Sequence, residues 1–178
     1  HREYGGVIPE LACRRHVDII MPVIKETFEK AGLSLKEIDL IAVANGPGLI
    51  GALLIGVHAA KALSFALNKP IVGVNHIEAH LYAAIMSQKE PITFPAIGCV
   101  LSGGHTNLVL MNNIGNYTLI GQTVDDAIGE AFDKVAKLLD LAYPGGPKIS
   151  AFATDGDTKK IPFPRPMMDS DNFDFSFA

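Results

Sequence analysis

Apolar residues in the first part of the chain recur with helical spacing and then in short continuous runs. In Pro9–Ala31 they lie three and four positions apart, which is typical of an amphipathic helix, and Gly32 supplies a stop signal. Ser34 and Glu37 have the spacing of a capping box that opens a short turn. The apolar run Leu40–Ala44 then predicts a strand.

A glycine-rich turn, Asn45–Gly51, leads into a helix of small residues that is predicted to end near Leu67. The run Pro70–Asn75 is predicted to be a buried strand. Strand, turn, helix and strand in this order indicate a βαβ unit, a parallel sheet and the α/β class. The turn lacks the ending of a P-loop and the spacing of a dinucleotide fingerprint, so close packing of helix on strand and nucleotide binding are both open interpretations.

Two histidines, His76 and His80, open the next predicted helix, which continues through Leu81–Met86. Residues four apart lie above one another on a helix, so both imidazoles project from one face and can hold one metal ion. On this pattern alone, surface or core histidines without a metal are the alternative. Ile77 stands where a zincin metallopeptidase has its glutamate base, and Glu78 lies about 200° round the helix, which argues against zincin chemistry.

The polar stretch 87–91 ends in a proline and predicts a boundary between two lobes, 1–92 and 93–178. Further strands are predicted at 94–101, 107–111 and 117–122, a helix at 124–141 and a last strand at the end of the chain. The turn Ser102–Thr106 is either a hairpin turn or a phosphate cradle, because adjacent glycines let backbone N–H groups approach an anion. Tyr143–Pro147 is predicted to begin a short helix with free N–H groups.

Four charged residues share one face of the predicted helix 124–141 at steps of four, three and four: Asp126, Glu130, Asp133 and Lys137. A solvated face and a functional stripe are both compatible with this pattern.

The composition is that of an ordinary folded protein, with 178 residues, of which 48% are hydrophobic. A net charge of -4 argues against a generally basic nucleic-acid binder and leaves a local basic patch open. Cys13 and Cys99 give no disulfide framework, so both are predicted to be small buried residues in a reducing compartment. There is no continuous run of eighteen apolar residues and no signal peptide, and the first residue, His1, predicts that the natural start lies upstream.

Eight motifs in order, spanning nearly all of the chain, resemble the TsaD family, the tRNA adenosine threonylcarbamoyltransferases once labelled glycoproteases or O-sialoglycoprotein endopeptidases. The motifs are Tyr4–Ala12, Gly46–Leu53, His76–His80, Ser102–Thr106, Gly129–Lys134, Tyr143–Pro147, Phe163–Pro166 and Asp174–Phe177. The resemblance implies an α/β, actin-like ATPase (ASKHA) fold of two ribonuclease-H-like lobes, incomplete in this chain, with nucleotide and metal in the cleft between the lobes.

The resemblance also implies a set of site residues. His76 and His80 match the metal ligands, the ion being iron or zinc, one per subunit. The family's substrate-binding positions fall on Val100, Leu101, Ser102, Gly103, Gly104, Asp133 and Gly146. Family members begin upstream of His1 and continue past Ala178 to further ligands, so the isolated 178 residues are expected to be inactive.

The implied reaction is an acyl transfer. The threonylcarbamoyl group moves from threonylcarbamoyl-AMP to the exocyclic amine of the adenosine beside the anticodon, in tRNAs that read codons beginning with A, and AMP is released. The nucleotide ligand is that adenylate or ATP. His105 resembles the bacterial and organellar branch, which implies TsaB-like and TsaE-like partners beside tRNA, a cytoplasmic location and no membrane.

Two other functions compete with this interpretation. A non-catalytic nucleotide-binding subunit of the same fold is the first, although such a scaffold has no need of two histidine ligands. The metallopeptidase of the older family label is the second, and Ile77 counts against it.

Overall fold

The computed structural model describes residues 8–178 of the chain. These residues fall into two compact units, 8–82 and 83–178, and the division lies inside a helix. The predicted boundary between lobes at residue 92 stays a prediction. Residues 4–7, the start of the first family motif, lie outside the described residues, as does His1.

The first unit has the predicted βαβ order. Its elements are α1 (Pro9–Ala31), a 3₁₀ turn (Leu35–Glu37), β1 (Ile41–Gly46), α2 (Ile50–Leu67), β2 (Ile71–Asn75) and the start of α3 (His76–Ser87). The strands β1 and β2 are parallel, with Ile41 opposite Ile71 and Gly46 opposite Asn75. The parallel sheet is therefore confirmed, and the carboxyl ends of both strands lie at one edge.

Local sequence explains the ends of α1. Pro9 stands at its first position, where a missing N–H costs nothing, and Gly32 ends it with a left-handed φ of 64°. The predicted capping box is present: the N–H and hydroxyl of Ser34 both donate to the Glu37 carboxylate at 2.8 Å. α1 packs closely on α2 at Gly51. A Cβ at this position would lie 3.0 Å from Sγ of Cys13.

Several apolar surfaces that were predicted to be buried are exposed. In β2 four of five residues are exposed, because the strand pairs only with β1 within the described residues and α2 covers little of it. Cys99 is also exposed, and Cys13 is half-buried, so the predicted burial of the cysteines is wrong for Cys99. Cys99 alternates with inward-facing Gly98 and Val100 on an antiparallel strand that has one exposed face.

Among residues 8–178, α2 is the one helix long and apolar enough to cross a membrane, by length and composition only. The search for a continuous apolar run did not find this helix, because His58 and Lys61 interrupt its apolar residues. Its mean hydropathy nevertheless remains as high as that of a membrane-spanning helix. α2 packs against α1 and β1, although Ala60 is the one buried residue of this helix.

The second unit is an antiparallel sheet with two helices. Its elements are the end of α3, β3 (Ala96–Leu101), β4 (Thr106–Asn113), β5 (Asn116–Gln122), α4 (Ile128–Leu138) and α5 (Gly145–Phe152). The strand order is β3-β4-β5, and α4 packs on α5. Its core contains buried apolar side chains and one buried polar residue: Val100, Val109, Met111, Ala127, Ala136 and Thr106.

Two predictions fail in this unit. α4 begins at Ile128 rather than near Val124, because the Thr123 hydroxyl donates to the Asp126 carbonyl at 2.6 Å and closes a turn before the helix. Asp126 therefore lies outside α4, and the predicted stripe of four charged residues on this helix is wrong at that position. The last strand of the chain is reduced to an isolated parallel bridge between Thr123 and Phe175.

Candidate functional site

His76 and His80 converge at the start of α3, within the first unit. Their Nε2 atoms are 3.2 Å apart, and the ring planes meet at 65° with centroids 4.6 Å apart. His76 is half-buried and His80 is exposed. Both rings therefore reach the surface with one nitrogen each turned towards the other.

The separation of these nitrogens matches a shared metal ion. Two imidazole nitrogens bound at about 2.05 Å and at a tetrahedral angle lie about 3.3 Å apart, close to the observed distance. It also suits a hydrogen bond in which one Nε2 donates and the other accepts. Within residues 8–178 no third His, Cys, Asp or Glu joins the pair, whereas zinc sites in proteins usually have three or four protein ligands.

The turn after β3 is closed by its own serine. The Ser102 hydroxyl accepts hydrogen bonds from the N–H groups of Gly104 at 3.3 Å and His105 at 3.0 Å, and donates to the His105 carbonyl at 3.2 Å. The Ser102 N–H donates to the same carbonyl at 2.9 Å. The side chain of Ser102 therefore holds the turn, and the Gly103 N–H is left without a hydrogen bond among the described residues.

The N-terminus of α4 lies directly on this turn. The Gly129 N–H donates to the Ser102 carbonyl at 3.2 Å, and a Cβ on Gly129 would lie 2.7 Å from both that oxygen and Cα of Gly103. The hydroxyl of Thr106, which is 2% exposed, accepts a hydrogen bond from the Ile128 N–H at 2.9 Å. These contacts require glycine at position 129 and fix the turn relative to α4.

Asp133 ties α4 to the start of α5. Its Oδ1 accepts a hydrogen bond from the Gly145 N–H at 2.6 Å, and its other oxygen has no partner within the described residues. A Cβ on Gly145 would lie 2.5 Å from Cβ of Ala136, so only glycine allows α5 to begin so close to α4. The next residue, Gly146, has nothing within 4 Å of the position of a Cβ.

The five glycines at the turn after β3 and at the starts of α4 and α5 thus form two groups. Gly103, Gly104 and Gly146 face open space and do not have positive φ angles, so neither packing nor backbone conformation requires glycine there. Gly129 and Gly145 are required by contacts within the protein. Absence of a side chain in the first group leaves room for another molecule to approach the backbone.

The two remaining predicted substrate positions differ in exposure. Val100 is 5% exposed, so its side chain belongs to the core and only its backbone can reach a ligand. Leu101 is 59% exposed.

The predicted charged stripe separates into different roles. Lys134, which is not one of the four residues of the predicted stripe, forms ion pairs with Asp126, before the helix, and with Glu130. The hydrogen bonds that Lys134 donates to Asp126, and then to Glu130, raise the pKa of Lys134 above its usual value. Asp133 alone of the four turns towards the start of α5.

The family model described as "tRNA N6-adenosine threonylcarbamoyltransferase", TsaD, matches residues 1–178, the whole chain. The chain belongs to the TsaD family.

Relatives of the same description support this. One from Protochlamydia amoebophila is 63% identical over all of this chain and 52% of its own length, and one from Bacillus subtilis is 54% identical over all of this chain and 51% of its own length. The chain spans about half the length of these curated relatives. Among solved structures, YeaZ from Pseudomonas aeruginosa is similar to 58% of this chain and 50% of its own, with 19% identity and a TM-score of 0.40.

Membership in the TsaD family confirms the resemblance and the expected α/β fold of the actin-like ATPase type, of which the chain covers only part. TsaD proteins depend on a metal ion.

The hydrogen-bonding roles of two residues of the TsaD chain that matter for the site, Asn75 and Thr106, were not predicted from the sequence. Asn75 precedes a helix directly, which is an N-cap signal, whereas the partner of Thr106 lies 22 residues away and leaves no local signal.

Proposed function

We propose that the protein containing this chain transfers the threonylcarbamoyl group from threonylcarbamoyl-AMP to the exocyclic amine of the adenosine next to the anticodon, with release of AMP. Its substrates are the tRNAs that read codons beginning with A. The observation that carries the proposal is the convergence of His76 and His80, at a distance suited to one metal ion, in a member of the TsaD family.

In this proposal His76 and His80 hold a divalent cation, iron or zinc, through their Nε2 atoms. When bound, the cation supplies Lewis-acid and template chemistry, because it can hold the phosphate or threonine carboxylate of the adenylate and polarise the carbamoyl carbonyl. The remaining ligands come from outside the described residues or from the substrate.

The second unit contributes backbone and one carboxylate. Gly103, Gly104 and Gly146 let a ligand lie against the chain, which their open Cβ positions support. The second oxygen of Asp133 accepts hydrogen bonds from ribose hydroxyls, while the first is held by Gly145. No general base is assigned, because an amine nucleophile that is held close to an activated carbonyl gains most from positioning.

We further propose a cytoplasmic location and partners of the TsaB and TsaE types beside tRNA. The nucleotide ligand is threonylcarbamoyl-AMP, or ATP in its absence. The isolated 178 residues are expected to be inactive, because they span about half the length of the relatives and carry only two metal ligands within the described part.

The test uses the full-length protein with threonylcarbamoyl-AMP, unmodified tRNA and the partner proteins, and measures modified adenosine together with bound metal. His76→Ala and His80→Ala are expected to lose both. His58→Ala is the matched control, since His58 is an exposed histidine on α2 whose Nδ1 lies 2.7 Å from the Leu54 carbonyl, and it should keep both.

Wild-type turnover in either histidine variant would refute the metal assignment. A wild-type protein that binds nucleotide without modifying tRNA would instead favour the non-catalytic subunit.

A further inference from the structure

Asn75 joins the parallel sheet of the first unit to α3. It is the last residue of β2, opposite Gly46 of β1, and α3 begins at the next residue without a loop. Its Oδ1 accepts hydrogen bonds from the N–H groups of Ile77 at 2.8 Å and Glu78 at 3.3 Å. These are N–H groups for which the helix itself has no acceptor, so Asn75 is the N-cap of α3.

The turn that this cap holds is the one that carries the first histidine. His76 is the first residue of α3, and His80 lies one turn further in. The two Nε2 atoms are 3.2 Å apart only while the first turn is helical. Because helix ends fray before their interiors, His76 is the member of the pair whose position depends on the cap.

We propose that Asn75 is a positioning residue for the histidine pair: by closing the first turn of α3, its side chain raises the affinity of His76 and His80 for a divalent cation. The inference rests on the metal role proposed above. A cation meets both rings only in molecules whose first turn is formed, and the apparent dissociation constant rises as that fraction falls. Loss of an N-cap of usual strength shifts the equilibrium of the first turn about fivefold, which is the upper limit of the change in apparent affinity.

The test measures the affinity of the full-length, metal-free protein for Zn²⁺ by competition with a chromophoric chelator. Asn75→Ala removes the acceptor and is expected to weaken binding by more than twofold and up to about fivefold. Asn75→Asp keeps an oxygen at the same place and is expected to bind at least as tightly as the wild type. Ala84→Gly is the matched control, because it weakens α3 by a similar factor at an exposed position outside the first turn.

Equal Zn²⁺ affinities of wild type and Asn75→Ala, within a factor of two, would overturn the inference. So would an Ala84→Gly variant that loses as much affinity as Asn75→Ala, since the effect would then be general helix weakening. A wild type that binds no Zn²⁺ removes the proposed metal site and this inference with it, whereas equal affinities remove the inference alone.

Discussion

Exchange of Gly103 and of Gly129 for alanine should have opposite effects, although the two residues are neighbours in space. A Cβ on Gly129 would lie 2.7 Å from Cα of Gly103 and from the Ser102 carbonyl oxygen. A Cβ on Gly103 would have nothing within 4 Å, and the φ of Gly103 is not positive. Gly129→Ala therefore strains the protein, whereas Gly103→Ala does not.

The expected magnitudes follow from these contacts. Overpacking costs about 1–3 kcal/mol, and the three backbone atoms within 3.0 Å of a Cβ on Gly129 place this substitution at the upper end of that range. The gain from replacing glycine inside α4 offsets about 1 kcal/mol, so Gly129→Ala should lower the free energy of unfolding by about 2 kcal/mol. Gly103→Ala should leave it unchanged or raise it by about 0.4–1 kcal/mol, because alanine restricts the unfolded chain.

The assay pairs urea unfolding of the full-length protein with its affinity for AMP or a non-reactive adenylate analogue. Gly103→Ala is expected to fold normally and to bind the nucleotide at least tenfold more weakly, because its methyl group occupies the space where the backbone meets the ligand. Gly104→Ala should behave in the same way. A Gly103→Ala protein with wild-type nucleotide affinity would refute the interpretation of the open glycines, and a Gly129→Ala protein of undiminished stability would refute the packing argument.

Two further predictions concern stability. Thr106→Val keeps the shape of the side chain but leaves the Ile128 N–H without its acceptor, so it should lower the free energy of unfolding in urea by about 1–3 kcal/mol. Thr106→Ser should keep this hydrogen bond and lose only the contacts of one methyl group. Equal stability of wild type and Thr106→Val would contradict this prediction. Hydrogen bonds from Ser176 and then Phe177 lower the pKa of Asp125 below 3.8 in the folded protein. The contribution of these hydrogen bonds to stability is therefore complete above the pKa that Asp125 has in the unfolded chain, and it is lost as the pH falls through the pKa of Asp125 in the folded protein. The Phe177 amide signal in NMR spectra should therefore move towards its unfolded shift below about pH 4, and in Asp125→Asn already at pH 7, whereas an Asp169→Asn control should match the wild type.

The ends of α1 and the capping box that follows it were predictable because their signals are local. Pro9, Gly32 and the Ser34–Glu37 box lie within a few residues of the elements they bound, and the structure shows them in the expected roles. The histidine pair was predictable for the same reason, since its geometry is a property of one helix turn.

Features that depend on distant partners were not predictable. Whether β2 is buried depends on which elements cover it, and an apolar run has the same sequence pattern in a covered strand as in an uncovered one. At the start of α4 the Ile128 N–H donates to the Thr106 hydroxyl, which lies 22 residues away in sequence. The functions of Gly129 and Gly145 arise from atoms of Ser102 and Ala136 that lie far from them or on another helix, so sequence alone could not separate them from the open glycines.

The hydrogen bonds of the second unit also limit what its glycine turn can do. The N–H groups of Gly104 and His105 donate to Ser102, so that among these only the Gly103 N–H is left to meet an anion. At α5 the Asp133 carboxylate lies beside the first N–H and disfavours a second negative charge there. This unit therefore suits ribose hydroxyls and a single carbonyl or phosphate oxygen better than a whole phosphate group.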